Sequence, residues 1–127
     1  MSARERRGLA PALPSNYARV CSLLLIAEAP AHGYELLQRL RASGDTDVAG
    51  GAFYRNLRAM EDDGLIQSRW RDGGAGAPRR VYSMTEKGVE RLHANAERLL
   101  ETLAQVDTYL ARYDRLGGRR ARRTAAA

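Results

Sequence analysis

The sequence predicts a mainly α-helical chain that contains one small β-hairpin and ends in a long helix. Apolar residues recur at helical spacing in three segments between residues 15 and 63. The spacing then changes to strand-like alternation in two segments that flank a glycine-rich turn. From Val89 onward the apolar residues follow an unbroken heptad pattern. These three observations define the fold class.

Length and composition suit one small, cytoplasmic domain that gains burial from a partner subunit. The chain has 127 residues, 44% of them hydrophobic, and domains of about 100–150 residues bury a smaller share of their surface than larger ones. Cys21 is the only cysteine and has no Cys or His at ligand spacing, which predicts neither a disulfide nor a metal site. No apolar run reaches the ~20 residues of a membrane helix, and the N-terminal segment does not resemble a secretory signal. We therefore expect a protein in a reducing compartment, without a membrane partner.

The net charge of +6 belongs to the two ends of the chain. Residues 1–7 carry +2 and the Arg-rich residues 117–127 carry +4, which leaves residues 8–116 neutral. We predict a disordered basic arm at residues 1–14 and a disordered Arg-rich tail at residues 117–127. Such tails either add sequence-independent DNA affinity or only aid solubility. A prediction of DNA binding must therefore rest on where charges lie within residues 8–116.

The first predicted helix starts at Ser15, a plausible N-cap, and ends near Glu28, before Pro30. One apolar face at helical spacing consists of Tyr17, Val20, Leu24 and Ala27. Further apolar residues widen this face: Leu23, Leu25 and Ile26. A helix that is apolar on most sides must be buried on most sides. We therefore expect Leu24 to contact a second subunit.

Two further helices are predicted at residues 32–42 and 50–63. The first of these ends at Ser43 and Gly44, and its predicted apolar side consists of Tyr34, Leu37 and Leu40. A polar link at residues 45–47 follows. The third helix ends at Gly64, and its predicted inward face consists of Phe53, Leu57 and Met60.

Residues 65–71 and 79–85 are predicted strands, and residues 72–78 are the turn between them. We expect Trp70 to pack across the hairpin against Tyr82. Three helices followed by a hairpin are typical of a winged helix-turn-helix, in which the hairpin is the wing. The sequence thus predicts a DNA-binding domain over residues 15–84.

Thr85 is the predicted cap of a last helix that extends to Leu116. Its heptad a and d positions are Val89, Leu92, Ala96, Leu99, Leu103, Val106, Leu110 and Tyr113. Such a helix is about 48 Å long, more than the ~30 Å that a small domain can cover. We therefore predict that residues 85–116 form a dimerisation helix; the alternative is packing on its own domain alone. The predicted dimer contacts are Leu24, Leu92, Leu99, Leu103, Val106 and Leu110.

Several segments together resemble the PadR family of bacterial transcriptional regulators. They are HGYELLQRL at 32–40, GAFYRNLRAMEDDGLI at 51–66, Trp70, and RRVYSMTEKG at 79–88. The single final helix is similar to the shorter subfamily. The resemblance implies a homodimer that binds a pseudo-palindromic operator, usually represses, and in many members is relieved by a small molecule. Ala52 and Arg55 depart from the family pattern, where a hydroxyl residue and Pro are common, so operator preference should differ. Leu99 and Leu100 stand where drug-binding relatives have a Trp.

The predicted recognition surface is the N-terminal half of the third helix together with the wing. Arg55 and Arg58 lie opposite the inward face and could each contact the O6 and N7 of a guanine, worth roughly 1–3 kcal/mol of discrimination. Almost all cationic side chains of this chain are arginines, since Lys87 is the only lysine. The alternative to base contacts is therefore a basic helix face that is only exposed to solvent. The wing arginines would follow a minor groove or phosphates, or protect strand edges. The predicted DNA contacts are Gly51, Ala52, Tyr54, Arg55, Arg58, Arg71, Arg79 and Arg80.

If an effector pocket exists, we expect it between the last helices and the first helix, lined by Cys21, Leu99 and Leu103. His32 is expected to cap or pack, and His93 to be solvated or at the subunit contact. The sequence has no Ser/His/Asp set, no phosphate-binding glycine loop and no paired buried carboxylates, so we predict no enzyme activity and no cofactor. The main alternative function is a winged-helix protein-interaction module without operator binding. A structural coiled coil and another winged-helix repressor family are further alternatives.

Overall fold

The computed structural model describes residues 16–43, 49–73 and 76–117, and in these ranges the chain forms four helices and three strands. In chain order they are α1 (Tyr17–Glu28), β1 (Ala31–His32), α2 (Gly33–Ser43), α3 (Gly50–Asp62), β2 (Ile66–Gly73), β3 (Gly76–Met84) and α4 (Glu86–Arg115). The predicted fold class, a winged helix-turn-helix followed by a long helix, is confirmed. The arm predicted at residues 1–14, the Ser15 cap, the link at residues 45–47 and residues 118–127 of the tail lie outside the described residues.

The chain divides into two compact units. Of the described residues, those from 16 to 95 belong to one unit and those from 96 to 117 belong to the other. The core of the first unit is built around α3, whose predicted inward face is confirmed, since Phe53, Leu57 and Met60 are at most 1% exposed. The other buried apolar residues come from α1, β1, α2, the residue before β2 and the first residue of β2: Leu23, Ile26, Ala31, Leu36, Leu37, Leu40, Leu65 and Ile66.

The sequence does not decide which side of α1 faces the core of its own domain. Leu23 and Ile26 are buried, whereas Leu24 is 51% exposed and Ala27 is exposed. A helix that is apolar all round does not reveal which side faces the core, so this choice is made by the packing of α2 and β3. Ser22 is buried on the same side because its hydroxyl donates to the Ala18 carbonyl, 2.8 Å away.

Tyr34 is also placed differently from the prediction. Leu37 and Leu40 of α2 are buried as expected, but Tyr34 is 63% exposed. Gly33 takes the buried place at the start of α2, where the ring of Tyr54 lies so close that a Cβ on Gly33 would be 2.7 Å from it. The next residue of the helix, Tyr34, therefore points to solvent.

The sheet has a strand that the sequence did not predict. β1 pairs with β3 through Ala31 and His32, so the antiparallel order is β1-β3-β2. Two residues after Pro30 are too few for a period-2 pattern, so this strand had no local signal. The predicted turn at residues 72–78 is wrong, because the ladder continues to the Gly73–Gly76 pair. The register is irregular between Arg71 and Gly73. Proline cannot donate a hydrogen bond to a sheet ladder, so this irregular part of the hairpin tolerates Pro78 in β3.

The register also corrects the expected Trp70–Tyr82 pair. Trp70 lies opposite Arg80, and Tyr82 lies opposite Ser68. The guanidinium carbon of Arg80 is 5.6 Å from the centroid of the Trp70 ring, within cation–π range. Trp70 itself is 68% exposed.

Hydrogen bonds at the helix ends fix the connection between the wing and α4. The predicted Thr85 cap is confirmed: its hydroxyl accepts from the Gly88 N–H at 3.0 Å and donates to the Gly64 carbonyl at 2.6 Å.

α1 begins one residue later than predicted, with Asn16 in the capping position and no side-chain capping bond. α4 has 30 residues and is therefore about 45 Å long. No helix in the described ranges is long and apolar enough to span a membrane.

Candidate nucleic-acid interface

Helix α3 separates its apolar and cationic side chains onto opposite sides. With Phe53, Leu57 and Met60 in the core, the predicted contact residues lie outward: Gly51, Tyr54, Arg55 and Arg58 are exposed, and Ala52 is half-buried. The two arginines lie in the first nine residues of the helix, the end that recognition helices insert into the major groove.

The acidic end of α3 is engaged with neighbouring elements. Both carboxylate oxygens of Glu61 accept from the Ser68 hydroxyl, at 2.7 and 2.9 Å. Asp63 is hydrogen-bonded and ion-paired to Arg19 of α1, and this guanidinium lowers the pKa of the Asp63 carboxyl. Two of the carboxylates that follow the arginines are thus bound within the domain, so they weaken the cationic face less than free carboxylates would.

The wing carries like charges opposite one another. Arg71 faces Arg79 across the two strands, and Arg69 lies opposite Val81. Alternation along each strand therefore places these three arginines on one face of the hairpin, and all three are exposed. Like charges in directly opposed positions destabilise a sheet. An anion along this face would remove that repulsion.

A cleft of about 430 Å³ joins the wing, α3 and the start of α2. Eight described residues line it: His32, Gly33, Tyr34, Tyr54, Trp70, Arg79, Arg80 and Tyr82. Three of them are predicted contact residues, Tyr54, Arg79 and Arg80, and the structure brings these together. Arg55, Arg58 and Arg71 do not line the cleft. None of the eight lining residues has a carboxylate, so the cleft is suited to an anion.

Sequence reasoning missed His32, Tyr34 and Trp70 as candidate functional residues. The expected capping role of His32 is confirmed, because its Nδ1 accepts from the Glu35 N–H at 3.3 Å. Its Nε2, however, lies 3.1 Å from Nη1 of Arg79, a contact over 47 residues that no local pattern indicates. Partial burial raises the pKa of the Tyr82 hydroxyl in the same cleft, so this phenol stays protonated and able to donate a hydrogen bond.

The residues predicted to form a dimer contact differ in exposure. Leu103 is 55% exposed and Val106 is 37% exposed. Leu99 and Leu110 are half-buried, and Leu92 is half-buried and packs against the core. Of the residues predicted for an effector pocket, Cys21 is also half-buried against the core. Within the described ranges no group of three or more His, Cys, Asp or Glu could hold a metal ion.

Comparison with known proteins identifies the family. The model of the PadR-like transcriptional regulator family matches residues 23–94. A conserved protein described as a potential transcriptional factor has a structure that matches with a TM-score of 0.69 and 32% identity, over 79% of this chain and 90% of that one. A PadR-like transcriptional regulator from Bacillus cereus matches with a TM-score of 0.66 and 29% identity, over 72% and 89% of the two chains.

Bacillus subtilis PadR, solved in complex with operator DNA, shares the fold with a TM-score of 0.58. It is 20% identical, over 64% of this chain and 46% of that one. A search of curated proteins gave no match. The family model covers more than half of the chain, in the part that forms the helix-turn-helix and the wing. The chain therefore belongs to the PadR-like family of transcriptional regulators.

Proposed function

We propose that this protein is a cytoplasmic, non-catalytic repressor that binds a pseudo-palindromic operator as a homodimer. The observation that carries the proposal is the outward face of α3, where Arg55 and Arg58 are exposed beside Tyr54 and next to a basic wing. The operator complex of Bacillus subtilis PadR supports it at the level of the fold.

In this proposal the two parts of the surface have different roles. Arg55 and Arg58 enter the major groove and read base edges, whereas the wing arginines Arg71, Arg79 and Arg80 contact phosphates or an adjacent minor groove. Gly51 and Ala52 let the start of α3 approach the DNA closely, and Tyr54 donates its hydroxyl to a phosphate. Base contacts set the operator sequence, and phosphate contacts set affinity on any sequence.

The dimer is proposed to form through α4. Leu103 and Val106 expose apolar surface at heptad positions, and in such a helix these positions form the seam with a second copy. Leu24 is proposed to contribute from α1, and Leu92, Leu99 and Leu110 from α4. A dimer should bind two half-sites whose centres are about 34–36 Å apart, one turn of the DNA helix.

Binding to the DNA upstream of its own gene tests the main proposal. We expect the labelled operator to bind far more tightly than a random duplex at ~150 mM salt. Arg55→Ala should relax base preference, whereas Arg71→Ala should weaken binding evenly and lower the salt slope by about one. Arg98→Ala, an exposed arginine on α4, is the matched control. Equal affinity for operator and random duplex would instead favour a protein-interaction module.

Sedimentation of a Leu103→Glu variant tests the dimer. We expect a folded monomer with much weaker operator binding, because a carboxylate at the seam must be buried without a partner. A dimer that survives this change would contradict the proposed seam.

Relief of repression by a small molecule stays a prediction. Its site would be lined by Cys21, Leu99 and Leu103, and thermal-shift screening of planar amphiphiles would test it.

A further inference from the structure

The cleft between α3 and the wing lies where duplex geometry requires a DNA strand, if the proposed function holds. Any major groove is separated from the neighbouring minor groove by one sugar–phosphate backbone. If α3 occupies the major groove and the wing follows the adjacent minor groove, that backbone passes between them. Tyr54 of α3 and Arg79 and Arg80 of the wing line this one cleft, so the backbone between the two grooves would pass over it.

His32 and Arg79 form a hydrogen-bonding pair in the cleft. Nε2 of His32 lies 3.1 Å from Nη1 of Arg79, and the tautomer of the ring sets the donor and acceptor roles of its nitrogens. Glu35 Oε2 is 3.8 Å from Nε2, beyond hydrogen-bond range, and its other oxygen accepts from Arg39 at 2.6 Å. The contact with His32 orients the Arg79 side chain. A guanidinium has five N–H donors, so further donors of Arg79 remain for an anion.

The remaining lining is aromatic and exposed. Trp70 is 68% and Tyr34 is 63% exposed, and both line the same cleft as Arg79 and Arg80. Ring faces suit the apolar sides of deoxyribose, and tyrosine hydroxyls donate to phosphate oxygens. Gly33 starts α2 at the same place, so the positive end of the helix dipole adds to the attraction for an anion.

We propose that this cleft holds the sugar–phosphate backbone between the two grooves. One phosphate accepts from Arg79, which the contact with His32 holds in place, and the adjoining sugar packs on Tyr34 and Trp70. Arg80 lies over the Trp70 ring, which restricts the orientation of both side chains. These contacts add affinity that does not depend on base sequence, and they fix the position of the wing relative to α3 on the DNA.

The single tryptophan of the chain makes the cleft directly observable. Because Trp70 is the only tryptophan, the intrinsic tryptophan emission reports on this site alone. We expect duplex DNA to quench or shift this emission in parallel with binding measured by the anisotropy of the labelled duplex. DNA that binds without changing the Trp70 emission would overturn the cleft assignment and leave the proposed function intact. A protein that binds no duplex at all would overturn both.

Variants separate a backbone contact from a structural role. Trp70→Leu and Tyr34→Leu should each weaken binding of operator and of random duplex by the same factor, roughly fivefold or more. The salt slope should stay unchanged, because both side chains are neutral, whereas Arg79→Ala should lower it by about one. Tyr109→Leu, which removes an aromatic that is 69% exposed on α4, is the matched control and should leave affinity unchanged.

A small anion is the competing occupant. Inorganic phosphate or thymidine monophosphate that shifts Trp70 emission, with DNA affinity unchanged in the Trp70→Leu and Tyr34→Leu variants, would overturn the backbone assignment. Equal melting temperatures of the variants and the wild type exclude misfolding as the cause of lost binding, and both side chains are exposed enough for this to be expected.

Discussion

Replacing Gly88 with alanine should destabilise the protein strongly, although alanine is the better helix former. Gly88 lies in the first turn of α4 and is buried. A Cβ there would be 2.0 Å from the Leu65 carbonyl oxygen and 3.2 Å from Cε of Met84. The Leu65 carbonyl cannot rotate away freely, because it accepts the Thr85 N–H at 3.1 Å. The start of α4 would therefore have to move by more than 1 Å away from Leu65, about the overlap that must be relieved.

The size of the effect follows from three contributions. Helix propensity favours alanine by about 1 kcal/mol. Overpacking costs about 1–3 kcal/mol and sometimes more, and displacement of the helix start strains the two Thr85 hydroxyl bonds, worth about 0.5–1.5 kcal/mol each. We expect a net loss of about 2–4 kcal/mol, which lowers the melting temperature by roughly 10–25 °C for a domain of this size.

Thermal melting by circular dichroism at one fixed protein concentration measures this loss. The fixed concentration matters because dimerisation would make the melting temperature depend on it. Gly51→Ala is the matched control: a Cβ there would meet only a terminal nitrogen of Arg55 at 3.4 Å, so we expect unchanged or slightly higher stability. If Gly88→Ala melts at the wild-type temperature, the close approach of α4 to Leu65 is wrong.

Three further predictions concern a cap, an ion pair and the cleft. Thr85→Ala should cost about 1 kcal/mol in a urea titration, whereas Thr85→Ser should recover most of it because the hydroxyl is kept. The pKa of Asp63 is lowered in the fold, so the stability from its ion pair is present above its unfolded pKa of 3.8 and is lost as the pH falls through the folded value. Melting curves should therefore show Asp63→Asn less stable than wild type at about pH 7, with the difference vanishing toward about pH 2; a constant difference would contradict this. Gly33→Ala should push the ring of Tyr54 out of place, since the overlap is with a side chain that can turn, and DNA titrations should show weaker binding with little change in melting temperature.

Much of the fold could be predicted because it depends on local periodicity. The inward face of α3 follows from the spacing of Phe53, Leu57 and Met60, and the cap at Thr85 follows from one residue type before a helix. The extent of α4 is correct to within one residue, because a heptad pattern over four repeats is hard to produce by chance. In each case the information lies within a few residues along the chain.

The errors, and the choices that the sequence left open, depend on distant parts of the chain. β1 exists because β3 offers an edge to Ala31 and His32, and two residues have no period of their own. α1 is apolar on several sides, so only its neighbours decide that Leu23 is buried and Leu24 is not. The residue opposite Trp70 depends on the register of β2 and β3. The irregularity between Arg71 and Gly73 can shift that register by one residue. The cleft likewise depends on contacts between distant segments. Its only local signal in the sequence is the presence of aromatic residues near a glycine.

The neutral charge of residues 8–116 does not weaken the case for DNA, because the charges are sorted in space. Glu35 is paired with Arg39, Glu61 is bonded to Ser68, and Asp63 is paired with Arg19. None of these carboxylates lines the cleft, which contains two arginines and a histidine. Glu35 comes within 3.8 Å of the His32 ring, but its charge is offset by Arg39. An attraction for phosphate depends on the charges within about 8–10 Å, the screening length at ordinary salt, and not on the sum over the chain. A domain with no net charge can therefore present a cationic surface, provided that its acids are paired with other groups of the domain.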